Sequence, residues 1–220
     1  MIFIFAVIAA YLLGSIPFGL LIAKAHGKDL RAIGSGNIGA TNVARALGRK
    51  WAYLCFLLDV LKGLIPMLAT MLLIRPLSIQ SYAERIVLLW LWLAVGCAAI
   101  LGHIFPLYLK FRGGKGVATS LGVALGLWPY YTICASFAIA IWAVVVLIWR
   151  YVSLASIIAS IAFPLLLILA IILRPSWDFV SLWPLLIAAT AIPLMVIIRH
   201  RENIKRLLAG TESKILPAKT

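Results

Sequence analysis

Long apolar runs separated by short polar segments organise this 220-residue chain. Five of them, at about residues 2–23, 51–74, 86–108, 152–173 and 179–198, are each long enough to cross a hydrocarbon core as a helix of roughly 20 residues. The stretch 117–149 is also apolar, but as one helix it would be about 50 Å long against a core of roughly 30 Å. It contains Trp128-Pro129-Tyr130-Tyr131, a proline among interfacial aromatics, and is therefore divided there into a short span 117–128 and a longer one 132–149. The short span, near 18 Å by helical rise, is too short to cross alone.

Charge placement tests this count. With seven spans, residues 24–50, 109–116, Arg150 and 199–220 share one side and carry 16 of the 20 Lys and Arg. The other side holds Arg75, Arg85 and Arg174, and Lys62 lies inside a span. With six spans the counts become 10 against 9 and the bias vanishes. The positive-inside rule thus predicts an all-α integral membrane protein, a bundle of about seven transmembrane helices with its N-terminus outside and its C-terminus cytoplasmic. The first charge, Lys24, follows the first apolar run, the opposite polarity to a cleaved signal peptide, so that run is expected to be a true span.

Composition agrees: 65% hydrophobic, 12% charged, mean hydropathy +1.11. No segment is polar and long enough for a soluble domain, so residues 1–220 are expected to form one transmembrane domain. The net charge of +14 is explained by orientation, not by nucleic acid. Cys55, Cys97 and Cys134 lie singly in apolar runs, without CxxC spacing or a nearby His, and read as small core residues. No metal site and no cofactor are expected.

The segments that carry the charge also carry the Gly, Ser, Asn and Thr clusters. The first is Gly34-Ser35-Gly36-Asn37-Ile38-Gly39-Ala40-Thr41-Asn42, followed by Arg45. Its glycines let the backbone turn N–H groups toward one anion, Ser35, Asn37, Thr41 and Asn42 add side-chain donors, and Arg45 supplies a bidentate cation for phosphate. A G-x-G-x-x-G pattern is present, but with no preceding strand it is not a dinucleotide site. The second cluster is Gly102-His103-Ile104-Phe105-Pro106, then Lys110-Phe111-Arg112-Gly113-Gly114-Lys115-Gly116 opening a helix at Val117. Glycine-turn amides, a helix N-terminus and the Lys115 ammonium there suit an anion. In the third, His200 and Asn203 stand three apart on one helical face, and His can move a proton or donate to an oxyanion near neutral pH. Lys205 and Arg206 beside them suit an anionic lipid surface.

Inside the spans, Asp59 and Lys62 are costly unless paired, and their spacing predicts a mutual ion pair facing the bundle. Gly122 and Gly126 form a GxxxG expected to pack helices. His103 is read as an interfacial histidine satisfied by a carbonyl in preference to a catalytic group. Equally informative are the absences: no His is followed five residues later by Asp, and there is no G-x-S-x-G, no His/Cys metal set and no carboxylate pair. A covalent acyl-enzyme or a metal-assisted reaction is not supported. A transporter or channel for phosphorylated metabolites is the main alternative, although the chain lacks the internal repeats usual there, and a structural or lipid-binding membrane protein is a weaker one.

The strings GSIPFG (14–19), GSGNIGATNVAR (34–45), GHIFPLYLKFRGGKGVAT (102–119) and HRENIKRLLAGTESK (200–214) closely resemble the bacterial acyl-phosphate-dependent glycerol-3-phosphate acyltransferases of phospholipid synthesis. The resemblance runs from the first span to the tail. It implies seven spans in the inner membrane with the active site facing the cytoplasm, and transfer of a fatty acyl group from acyl phosphate to the 1-hydroxyl of glycerol 3-phosphate. The products would be lysophosphatidic acid and phosphate. The implied partners are these substrates, membrane lipid and a soluble enzyme that makes acyl phosphate. On this reading Lys115 with Gly113, Gly114 and Gly116 holds one phosphate. Arg45 and Ser35, with Gly36, Asn37, Thr41 and Asn42, hold the other or its glycerol. His200 and Asn203 orient the hydroxyl, with His200 or a substrate phosphate taking its proton.

Overall fold

The computed structural model describes residues 1–77 and 81–215, and among them every regular element is helical. Among the described residues six spans are long and apolar enough to cross a membrane, the first of them (Ile2–Ala25) made of two helices, and a further apolar helix is shorter. Lys219, counted above with the basic tail, lies outside the described residues. The chain divides into two compact units, Met1–Trp128 and Pro129–Thr220, at the Trp128-Pro129 step where the sequence predicts a break.

The first unit contains α1 (Ile2–Ser15), α2 (Phe18–Ala25), α3 (Ala40–Leu47), α4 (Arg49–Ile74), α5 (Tyr82–Ile104), a 3-10 turn (Leu107–Leu109) and α6 (Val117–Gly126). The run expected as one helix over 2–23 is broken at Ile16-Pro17, because proline offers no N–H to continue the ladder. The Ile16 carbonyl left at the break accepts from Phe18 N at 3.1 Å and from Lys62 Nζ at 2.9 Å. At ten residues α6 is only about 15 Å long, half the hydrocarbon core.

Glycines bring these helices into backbone contact. A Cβ on Gly63 of α4 would strike the Thr119 carbonyl of α6, and one on Gly122 of α6 would strike the Val60 carbonyl of α4. The same reciprocity joins α1 and α5, where Gly14 faces Ala99 and Gly102 faces the Tyr11 carbonyl. Lipid tails give apolar helices little reason to associate, so close backbone approach through small residues supplies the packing. Gly122 and Gly126 therefore pack as expected. The central helix is α5, 56% of whose spanning window is buried; its Trp92 indole donates to the Met67 carbonyl at 3.0 Å. A Ser81–Glu84 capping box starts it.

The second unit contains α7 (Tyr130–Trp149), α8 (Val152–Leu173), α9 (Phe179–Arg199) and α10 (Arg201–Leu208). Within it only 17% of the spanning windows of α7 and α8 is buried, leaving apolar faces suited to lipid. The Tyr131 hydroxyl, buried at the start of α7, donates to the Leu185 carbonyl of α9. Trp142 of α7 donates to Ser156 of α8 at 3.3 Å.

Candidate functional site

In the first unit the glycine-rich segment forms a loop held by one side chain. Asn42 is 1% exposed, on the inner face of α3. Its Oδ1 accepts from Ser35 N at 3.1 Å, and its Nδ2 donates to the carbonyls of Leu30 at 2.9 Å and Ile33 at 3.0 Å. Asn37 likewise spends its Oδ1 on the Gly39 amide at 2.9 Å, just before α3. The two Asn amides thus shape the loop. Gly34 and Gly36 take left-handed φ of 57° and 65°, and a Cβ on Gly34 would meet Asn42 Oδ1 and the Arg45 stem. Thr41 and Arg45, one helical turn apart, share the exposed face of α3, and Ser35 is exposed beside Gly34.

The second cluster closes against the end of α5. Gly113 N donates to the Ile104 carbonyl and Gly114 N to the His103 carbonyl, both at 3.1 Å. The amides expected to face an anion at Gly113 and Gly114 are therefore used to satisfy helix C-terminal carbonyls, a sound use of orphan acceptors. Gly116, at φ 86°, turns the chain into α6, and Lys115 just before it is half-buried. What this turn offers an anion is the Lys115 ammonium and the first-turn amides of α6. Arg31 donates from Nη2 to the Arg112 carbonyl at 3.0 Å, so the first and second clusters lie side by side. A groove of about 730 Å³ adjoins them, its lining including apolar Ile16, Pro17 and Leu20 and charged Lys24, Lys28, Asp29 and Arg31.

In the second unit His200 links α9 to α10 and is 2% exposed. Its Nδ1 lies 2.8 Å from the Val196 carbonyl. A carbonyl only accepts, so Nδ1 carries hydrogen and, in the neutral ring, Nε2 is the basic nitrogen. Asn203 donates from Nδ2 to Glu212 Oε1 at 2.6 Å; the same oxygen accepts from Ser153 Oγ at 2.8 Å, and Oε2 accepts from Arg206 Nε at 2.7 Å. His200 and Asn203 are thus both fixed by neighbours within their own unit.

The glycerol-3-phosphate acyltransferase family profile matches residues 4–210. A glycerol-3-phosphate acyltransferase of Aquifex aeolicus is 46% identical over 96% of this chain and 98% of its own length. One from Geobacter sulfurreducens is 47% identical over 93% of each. The solved structure of the integral membrane glycerol 3-phosphate acyltransferase PlsY, in its glycerol 3-phosphate form, superimposes with a TM-score of 0.80 at 44% identity, covering 98% of this chain and 96% of that one. Its lysophosphatidic acid form gives 0.78. The chain belongs to the glycerol-3-phosphate acyltransferase family.

As a member of this acyltransferase family it is a multi-pass membrane protein of lipid biosynthesis, and the transporter alternative falls away. Two residues of this acyltransferase carry more than their sequence setting indicates. Arg31 ties together loops 81 residues apart, a link no local pattern signals. Glu212 gathers Ser153, Asn203 and Arg206; in sequence it is one of two carboxylates, with Glu202, in a basic tail. Burial alone would raise the Glu212 pKa, but the hydrogen bonds from Arg206, Asn203 and Ser153, with the Arg206 charge, outweigh it and hold the carboxyl below the ordinary glutamate value. The expected Asp59–Lys62 pair is present at 2.8 Å with both side chains buried. The His103 Nδ1 faces the same carboxylate, Asp59 Oδ1, at 3.6 Å, a neighbour that its sequence setting did not indicate.

Proposed function

We propose that this acyltransferase moves a fatty acyl group from acyl phosphate to the 1-hydroxyl of glycerol 3-phosphate, releasing phosphate and leaving lysophosphatidic acid. The observation that carries the reading is the adjoining pair of cation-bearing turns, Arg45 beside Gly34-Ser35 and Lys115 between Gly114 and Gly116, joined through Arg31. Two phosphate-bearing substrates call for two such places. A mixed anhydride has a good leaving group, so direct attack needs positioning and charge stabilisation more than a protein nucleophile. The hydroxyl oxygen bonds to the acyl carbon, the carbon–oxygen bond to phosphate breaks, and the phosphate departs with its electron pair.

In this scheme Lys115 at its glycine turn holds one phosphate, and Arg45 with Ser35 and Thr41 holds the other or its glycerol. Asn37, Asn42, Gly36, Gly113, Gly114 and Gly116 give these turns their shape. His200 and Asn203 orient the hydroxyl, and His200 Nε2 is the acceptor for its proton. The acyl chain lies in the lipid or along an apolar wall such as that of the Ile16–Leu20 groove. Residues 1–220 act as one domain of seven spans in a bacterial inner membrane, N-terminus outside, with the basic loops and the chemistry on the cytoplasmic side. A soluble acyl-phosphate-forming enzyme supplies the donor.

Phosphate release by the purified protein in detergent, given palmitoyl phosphate with and without glycerol 3-phosphate, tests this. Release that requires glycerol 3-phosphate and is matched by 1-acylglycerol 3-phosphate is the expected result. Turnover with acyl-CoA but not with acyl phosphate would overturn the donor.

A further inference from the structure

Three ionisable side chains meet inside the first unit: Asp59 is 3% exposed, Lys62 2% and His103 4%. Asp59 Oδ1 takes the Lys62 ammonium at 2.8 Å and faces His103 Nδ1 at 3.6 Å, while Oδ2 receives the Cys55 thiol at 3.7 Å. Lys62 also donates to the Ile16 carbonyl at the α1–α2 break. Such a group is costly in a membrane, and replacing a buried ion pair with apolar residues of similar size is often neutral or stabilising. Fold stability is therefore a weak reason for its presence.

Its location supplies a stronger one. The His103 carbonyl accepts from Gly114 N, and a Cβ on Gly114 would fall on the His103 ring, nearest Nε2. The next residue is Lys115. On the other side of the turn, the Thr119 carbonyl of α6 rests on Gly63, one residue beyond Lys62. The Asp59–Gly63 stretch of α4 thus supports the Gly113–Gly116 turn from both flanks, through His103 and through α6.

We propose that Asp59 and His103 are positioning residues for the Lys115 turn: the Asp59 carboxylate orients the imidazole, and Gly114 seats on that ring at the height Lys115 needs to reach a substrate phosphate. Lys62 balances the Asp59 charge and anchors it to the broken first span. The inference rests on the reading of Lys115 as a phosphate-holding residue.

The test compares Asp59→Leu/Lys62→Met, which removes the ion pair at similar volume, with Asp59→Asn/Lys62→Met, which keeps an oxygen facing His103. Lys115→Ala first identifies which substrate, glycerol 3-phosphate or acyl phosphate, the turn serves by its KM. A smaller folded fraction lowers kcat but leaves KM unchanged, so KM separates positioning from stability. Asp59→Leu/Lys62→Met is expected to remain monodisperse and to raise that same KM about tenfold, with the Asn variant returning to within about threefold of the parent. Parental KM values in the Leu variant, a rise confined to the other substrate, or an equal rise in the Asn variant would each overturn the proposal. Should the Leu variant not fold, Gly114→Ala, which forces the turn off the ring, must raise the same KM; a parental value overturns the proposal. Lys115→Ala with parental kcat and both KM values would instead remove the phosphate-site reading itself.

Discussion

The Asn203 amide donates to Glu212 Oε1 at 2.6 Å, and through that carboxylate the segment just after α10 holds α10 to Ser153 at the start of α8. A left-handed Gly210, at φ 68°, turns the chain back to make this possible. Asn203 is thereby fixed by a group nine residues away. Glu212→Ala leaves the buried Asn203 and Ser153 donors without this acceptor, while the partly exposed Arg206 turns to water, and at about 1–3 kcal/mol for each buried donor the expected loss is roughly 3 kcal/mol. Thermal unfolding in detergent measures this; activity should fall with it, and an unfolding midpoint equal to the parent's would contradict the account.

The depressed Glu212 pKa gives this stabilisation a pH dependence of known sign. The folded state favours the carboxylate, so the contribution is complete above the ordinary glutamate value of 4.5 and is lost as pH falls through the lower folded value. The gap in unfolding midpoint between parent and Glu212→Gln should be constant at neutral pH and shrink in acid. A gap that widens on acidification would reverse the sign and the argument.

Lys115→Ala and Arg45→Ala each remove a cation from a proposed phosphate site in a setting where charge does most of the work. Each should lower kcat/KM by about 100-fold with normal folding. Full activity in the double variant would sink the site map.

Asn42 is the test of loop shape as distinct from substrate contact. Asn42→Asp keeps the acceptor for Ser35 N but turns a carboxylate oxygen toward the Leu30 and Ile33 carbonyls. Repulsion there should open the loop, at about 1–3 kcal/mol for each buried carbonyl left unsatisfied. The expected result is at least a tenfold fall in kcat/KM, roughly 1.4 kcal/mol in barrier, in protein that still purifies as a single species. Parental kinetics would mean the Ser35 loop holds its form without Asn42.

Much of this architecture was legible from local pattern. The apolar runs located the helices because span length follows from bilayer thickness and helical rise. Trp128-Pro129 marked the division between α6 and α7, and the spacing of Asp59 and Lys62 implied their ion pair because residues three apart share a helical face. The polar clusters pointed to anion binding through residue type, and the family resemblance, not the clusters, named the reaction. Tertiary structure decided what those residues do with their hydrogen bonds. It assigned the Gly113 and Gly114 amides to α5 carbonyls, turned Asn42 inward, set His103 against Asp59 and joined Arg31 to Arg112. These partners lie on different helices or loops, and their meeting depends on glycine contacts that bring backbones together, a relation that no short stretch of sequence expresses.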